Sequence, residues 1–308
     1  MTLVQRRTAA VRTDDGALLH ATIDGHDDAP VTVVLAHGWT LAQAAWDDVT
    51  GLLLPRTGAG ELRLVRYDQR GHGRSRWGDV EITVEQLGHD LAAVLDQLAP
   101  SGPVVLGGHS MGGMTIMCLA ASRPELFGDR VRAALLVSTS AGDLTGDPKS
   151  PGGRMGRLTP GMLTALLGAA RVLEKLRQKL PPTHPRHQKI VRDLLYGADA
   201  SDAMVLAGAE IMHASTIRAF LRFMPALGDL DKRAELAALQ RVPVEILVGD
   251  SDNLTPRRHS DQLIEALPEA RLEVVPRTGH MLPQERPQLV VDALDRLLAE
   301  VGADRTAA

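Results

Sequence analysis

Gly107-Gly108-His109-Ser110-Met111-Gly112-Gly113 is the stretch on which the reading of this chain turns. Ahead of it runs the short apolar segment Pro103-Val104-Val105-Leu106, and behind it Met114 to Ala121 reads as a helix. An apolar strand, a sharp glycine-flanked turn carrying a serine, and then a helix is the arrangement that holds a serine hydroxyl out from the end of a sheet as a nucleophile. Gly108 and Gly112 keep side chains out of the way where strand and helix cross. The helix that starts just past Ser110 aims its first N–H groups at any negative charge forming there. A free serine hydroxyl is a poor nucleophile at neutral pH. This reading therefore requires a base, an acid to hold the base, and donors for an oxyanion elsewhere in the chain.

Composition sets the outer bounds. The chain has 308 residues, 44% of them hydrophobic, enough for one large core or a core with an insertion. Its 34 basic and 38 acidic residues leave a formal charge of −4, which argues against a nucleic-acid footprint or an anionic-membrane binder. No apolar run approaches the roughly 20 residues of a membrane span. Met1–Arg12 lacks the apolar core of a secretory signal, so the expected location is cytoplasmic. The one cysteine, Cys118, reads as a small buried residue in the helix after Ser110. Aromatics make up only 3%, so the core must be built from Leu, Val, Ala and Met.

Strand and helix patterns alternate along most of the chain. Ala9–Arg12 and Ala17–Ile23 read as a hairpin around Asp14-Asp15-Gly16. Val31–Ala36, Leu62–Tyr67, Val104–Leu106, Val131–Val137, Val244–Val248 and Leu272–Val275 read as further strands. Helical periodicity covers Gln43–Leu54, Val84–Leu98, Ser110–Ala121, Arg257–Ala266 and Gln284–Glu300. Such alternation predicts an α/β protein with a doubly wound, mostly parallel sheet. The alternation stops between Ala141 and Glu235. Gly- and Pro-rich turns at Gly142–Gly153 open this interval. Helix-like sets follow at Leu163–Leu176, Met204–Ile211 and Ile217–Met224. A connection this long should be a folded helical cap, which divides the chain into a core of residues 1–140 and 236–308 and a cap of 141–235.

Each chemical requirement has a candidate at the carboxyl end of a predicted strand, where ligands collect in open parallel sheets. His280, in Thr278-Gly279-His280-Met281, is the candidate base. The acid lies in Gly249-Asp250-Ser251-Asp252, with Asp252 and Asp250 as rivals and one of them expected to be structural. Asp143, after the sixth strand, stands in reserve. For the oxyanion, the backbone N–H groups of Trp39, in His37-Gly38-Trp39, and of Met111 are the candidate donors, with His37 bracing the loop. In the interval 141–235, Met155, Met162, Met204, Met212 and Met224 suit either cap packing or an adaptable pocket. Trp39, Met204, Met212, Phe220 and Met224 are the candidate pocket residues. The seven Lys/Arg against Glu174 and Asp193 in Arg171–Asp193 read first as a solvated face, and second as a site for an anionic substrate group. No metal-ligand spacing is present, because Pro185 separates His184 from His187. No cofactor is implied.

Taken together, His37-Gly38-Trp39, Asp68-Gln69-Arg70-Gly71-His72-Gly73-Arg74-Ser75, Gly108-His109-Ser110-Met111-Gly112-Gly113, Gly249-Asp250-Ser251-Asp252 and Gly279-His280 make the chain resemble the α/β-hydrolase superfamily over nearly its whole length. The resemblance implies an eight-stranded sheet with a helical cap between strands six and seven. It favours Asp252 as the acid and makes Asp68–Ser75 a structural scaffold. It points to a carboxylesterase-like serine hydrolase, with a small-molecule ester or lactone as the expected partner and no nucleic acid. A serine at the turn, rather than an aspartate, disfavours epoxide or haloalkane chemistry. The same residues are also compatible with perhydrolase, carbon–carbon hydrolase, thioesterase or acyltransferase chemistry, or with a non-catalytic ligand receptor.

Overall fold

The computed structural model describes residues 5–145, 153 and 159–307, the last five by backbone alone. Met155 and much of the Gly142–Gly153 stretch fall outside these residues. Eight strands form one sheet: β1 (Arg6–Arg12), β2 (Leu18–Asp24), β3 (Thr32–Ala36), β4 (Arg63–Tyr67), β5 (Val104–His109), β6 (Val131–Val137), β7 (Val244–Gly249) and β8 (Arg271–Val275). Their spatial order is β1-β2-β4-β3-β5-β6-β7-β8. β2 runs antiparallel to both neighbours, and every pair from β4 to β8 is parallel. β3, β4 and β5 are buried at every position, and β3 accordingly reads as a nearly unbroken apolar run rather than an alternating one, whereas β4 buries Arg63 and Arg66 as well. β1, at the sheet edge, alternates, and its outward residues include Arg6 and Arg12, a charged rim that discourages further strand pairing.

Helices cover both faces. α1 (Asp47–Gly58), α2 (Val84–Leu98) and α3 (Met111–Ser122) follow β3, β4 and β5 in turn. Between β6 and β7 come α4 (Pro160–Arg177), α5 (Pro185–Leu195), α6 (Asp202–Ala214) and α7 (Ile217–Asp229). α8 (Arg257–Ala266), α9 (Leu282–Glu285) and α10 (Pro287–Ala307) complete the chain. One apolar layer lies between the sheet and α2, α3 and α8, including Val34, Leu106, Leu119 and Leu263. The other, under α1 and α10, includes Val33, Leu53, Val105 and Leu294.

Several elements differ from the sequence pattern. The expected helix Gln43–Leu54 is a 3-10 turn over Gln43–Trp46 followed by α1, and α5 lies where no helix is expected. β5 continues through Gly107 and Gly108 to His109, because tertiary packing rather than strand propensity holds these glycines in the sheet. The expected single helix 284–300 is two helices. Arg286, at φ −139° and ψ 56°, breaks the path just before Pro287, as proline disfavours helical backbone in the residue ahead of it. The base of the 141–235 interval is tied shut by a bridge between Gly142 and Asp231 and by the Lys232 N–H donating to the Ala141 carbonyl at 2.7 Å.

Candidate active site

Ser110 sits between β5 and α3 at φ 54° and ψ −119°, a backbone state that a residue with a side chain rarely adopts. The surroundings hold it there. The Ser110 N–H donates to the Val137 carbonyl at 2.9 Å, and the Ser110 carbonyl accepts from Thr139 Oγ1 at 2.7 Å and from the Gly113 N–H at 2.9 Å. A Cβ at Gly112 would collide with the Ala36 carbonyl, and one at Gly108 with the Gly112 carbonyl, so only glycine allows this crossing. Ser110 itself is half-buried and reachable.

The loop after β3 faces this turn. Among the described residues, the backbone N–H groups of Trp39 and Met111 donate to no acceptor. Met111 has no exposed surface, so its N–H is a donor held out of water beside Ser110. His37 is fully buried. Its Nδ1 lies 2.7 Å from the Gly38 carbonyl oxygen, and its Nε2 accepts from the Gln69 N–H at 2.9 Å. Burial lowers the His37 pKa, consistent with a neutral ring that braces the loop. Gln69 in turn accepts from Thr115 Oγ1 at 2.8 Å, which ties the loops after β3 and β4 to α3.

His280 follows β8 and Asp252 follows β7. His280 Nδ1 lies 2.9 Å from Asp252 Oδ2, and both residues are buried. A carboxylate can only accept, so Nδ1 carries the proton and Nε2 presents its lone pair. Asp252 also accepts from the N–H groups of Leu254 and Thr255 and from Thr255 Oγ1, each at 2.9 Å. Burial pushes this carboxyl up, but attraction to His280 and these hydrogen bonds outweigh it and hold the pKa at about 2. Asp250 is exposed and accepts instead from Ser251 Oγ at 2.8 Å. Asp143, at φ 58°, lies beyond β6, and of the three carboxylates Asp252 alone accepts from His280.

Residues the sequence reading passed over join the site. His109, the residue before Ser110, is fully buried; its Nε2 lies 2.8 Å from the His280 carbonyl oxygen and its ring centroid 5.0 Å from that of His280. This contact brings the serine turn and the histidine loop side by side. Thr255 Oγ1 stands 3.3 Å from His280 Nδ1; its place three residues after Asp252 was the available signal. Nothing local pointed to Glu285. This buried carboxylate accepts from the Gly279 N–H at 2.9 Å and from the Gly197 N–H at 2.8 Å. The Leu195 carbonyl, at the end of α5, accepts from the N–H groups of His280 and Met281 at 2.7 and 3.1 Å. The histidine loop thus rests directly on the 141–235 interval.

The candidate pocket residues are spread around this centre. Trp39 and Phe220 stack with ring centroids 4.6 Å apart. Met204 and Met212 are partly buried against a cluster that contains Leu41, Leu195 and Met281. Met224 is buried on α7, and Met162 is exposed on α4. His184 caps α5, its Nδ1 accepting from the Arg186 N–H, while His187 faces His213. Among the described residues, no three His, Cys, Asp or Glu side chains are grouped to hold a metal, and no helix is long and apolar enough to cross a membrane.

A mostly parallel eight-stranded sheet with flanking helices, with Trp39, Ser110, Asp252 and His280 on the loops that leave β3, β5, β7 and β8, is the α/β-hydrolase fold. Residues 33–293 match the model of the alpha/beta hydrolase family, and the chain belongs to that family. It is 27% identical over 301 residues to the sn-1-specific diacylglycerol lipase ABHD11 of Mus musculus, covering 92% of this chain and 85% of the relative. It is 26% identical over 269 residues to the pimeloyl-[acyl-carrier protein] methyl ester esterase of Nitrosomonas europaea, covering 86% and 94%. A thermophilic esterase from Thermogutta terrifontis superposes with a TM-score of 0.71 at 22% identity, over 96% of this chain and 99% of that one. Relatives of this kind support hydrolase activity.

Proposed function

We propose that this protein is a serine hydrolase that cleaves a small carboxylic ester or lactone through an acyl-enzyme. The observation that carries the reading is the buried Asp252–His280 hydrogen bond beside the strained Ser110 turn. Ser110 Oγ attacks the acyl carbon, and its proton passes to His280 Nε2. The Trp39 and Met111 N–H groups bind the resulting oxyanion, and Asp252 stabilises the imidazolium. The C–O bond then breaks as His280 returns the proton to the leaving alcohol. Water, deprotonated by His280, attacks the acyl carbon, and the second tetrahedral intermediate collapses as His280 returns that proton to Ser110 Oγ, releasing the acid. Two relatives are named for ester substrates, a diacylglycerol and a pimeloyl methyl ester. Residues 1–140 and 236–308 form the catalytic core in this reading, and 141–235 a cap that lies over Ser110 and selects substrate.

The test is chemical and kinetic. A fluorophosphonate should label Ser110, and Ser110→Ala should abolish labelling and lower kcat on p-nitrophenyl esters by about 10⁴-fold or more, with an unchanged circular dichroism spectrum. Near-wild-type turnover by the folded variant would remove Ser110 from the mechanism.

A further inference from the structure

Among the described residues, eight large hydrophobic side chains are exposed, and five of them cluster in one short part of the chain. Met162, Val172 and Leu176 lie on α4, Leu180 in the turn after it, and Ile190 on α5; all are 50% to 64% exposed. At about 100° per residue, Met162, Val172 and Leu176 fall within about 80° of one another on α4, and Lys175 lies about 60° from Val172; Lys179 follows in the turn after the helix. α4 packs chiefly on α7 and buries only Ala170. His213 joins the two helices, accepting from Arg177 of α4 and facing His187 of α5. The carboxyl end of α4, which carries Leu176 and leads into Leu180, and the start of α5 therefore meet at His213.

Charge says what this face fits. Three of its cations are already engaged: Arg177 with Glu174, Lys189 with Asp193, and Arg192 with Asp202. Among the described residues, Arg171, Lys175, Lys179 and Arg186 have no ion pair, and all four are exposed. Exposed apolar side chains interleaved with free cations match an interface of acyl chains and anionic headgroups. A chain-wide charge of −4 hides this local excess.

We propose that the α4–α5 face docks the protein peripherally on an anionic lipid bilayer, with Val172, Leu176, Leu180 and Ile190 entering the interface and Arg171, Lys175, Lys179 and Arg186 meeting the headgroups. The proposal is independent of the chemistry assigned to Ser110.

Co-sedimentation with vesicles tests it. The protein should bind vesicles of phosphatidylcholine mixed with phosphatidylglycerol, bind pure phosphatidylcholine far more weakly, and dissociate as salt rises. Each charge removed from the four free cations should weaken partitioning about fivefold. The combined Lys175→Glu and Lys179→Glu variant should therefore bind at least about 25-fold more weakly. Leu176→Ser with Ile190→Ser should also reduce binding while leaving circular dichroism and hydrolysis of a soluble ester unchanged. Absence of wild-type binding to the anionic vesicles would overturn the proposal, as would equal binding by the variants. A concentration-dependent dimer in light scattering that the serine variants dissociate, with no vesicle binding, would assign the face to a second copy of this chain instead.

Discussion

Helices α3 and α4 are both rich in apolar residues, and the fold treats them oppositely. α3 buries ten of its 12 residues between the sheet and α2, directly behind Ser110. α4 buries one of its 18. Around α3, close contacts over-determine the backbone: Ser110 is held at positive φ, and glycines at 108 and 112 permit a crossing that one methyl group would block. Around α4, Gly161 and Gly168 have open space where a Cβ would stand. In the reading proposed above, reaction geometry belongs to the closely packed region, and recognition of substrates and surfaces to the region whose side chains still face outward. The two regions meet where Leu195 and Gly197 support the His280 loop.

The sharpest way to break this contrast is to change one carboxylate in the rigid region. Asp252→Asn should lower kcat by about 10⁴-fold, because the amide stabilises the wrong histidine tautomer, whereas Asp250→Asn should change it only a few-fold. Comparable losses in the two purified variants would shift the acid to Asp250.

Acid should act on the same buried region. Burial holds His72 and His109 neutral with pKa values of about 3, and both have almost no exposed surface. In the unfolded chain they bind protons near pH 6.5. The unfolded state therefore takes up more protons between about pH 6.5 and 3, and stability falls as pH drops through that window. Each ring contributes up to about 1.4 kcal/mol per pH unit. Urea midpoints at pH 6.5, 5.5 and 4.5 should fall steadily, and His72→Gln should flatten the slope. A midpoint constant down to pH 4.5 contradicts this account. Asp252, with its pKa at about 2, adds its own loss only below about pH 4.

On the outward-facing side, Phe220→Ala should reorder preference across a chain-length series of p-nitrophenyl esters by about 10–200-fold in kcat/KM. The rate of Ser110 labelling by a small fluorophosphonate should change much less. A uniform shift of every ester would mean that Phe220 does not line the acyl or alcohol pocket.

The smallest effects compare the two helices directly. Gly112→Ala should destabilise by about 1–3 kcal/mol through overpacking against Ala36. Gly168→Ala should stabilise by about 0.5–1 kcal/mol, since the new methyl meets nothing and alanine restricts the unfolded chain. Thermal or urea unfolding of the two variants measures both signs, and equal signs would erase the distinction between the regions.

Much of this molecule is legible along the chain, because periodicity and turn chemistry are local. The burial of β3 on both faces leaves a nearly unbroken apolar run, and the glycines around Ser110 mark a crossing before any partner is known. Candidate reactive residues could be named because each follows a strand, and parallel sheets gather such loops at one edge. Tertiary structure alone decided the rest. His109 meets the His280 carbonyl across 171 positions, and Glu285 reaches back 88 to Gly197. Neither pairing leaves a periodic trace in the sequence. The same holds for α4: its leucines carry a helical period whether they face a core or water, and only the packing of α7 against one side left Val172 and Leu176 exposed. Periodicity encodes which residues share a face, but what covers that face depends on residues far away in the chain.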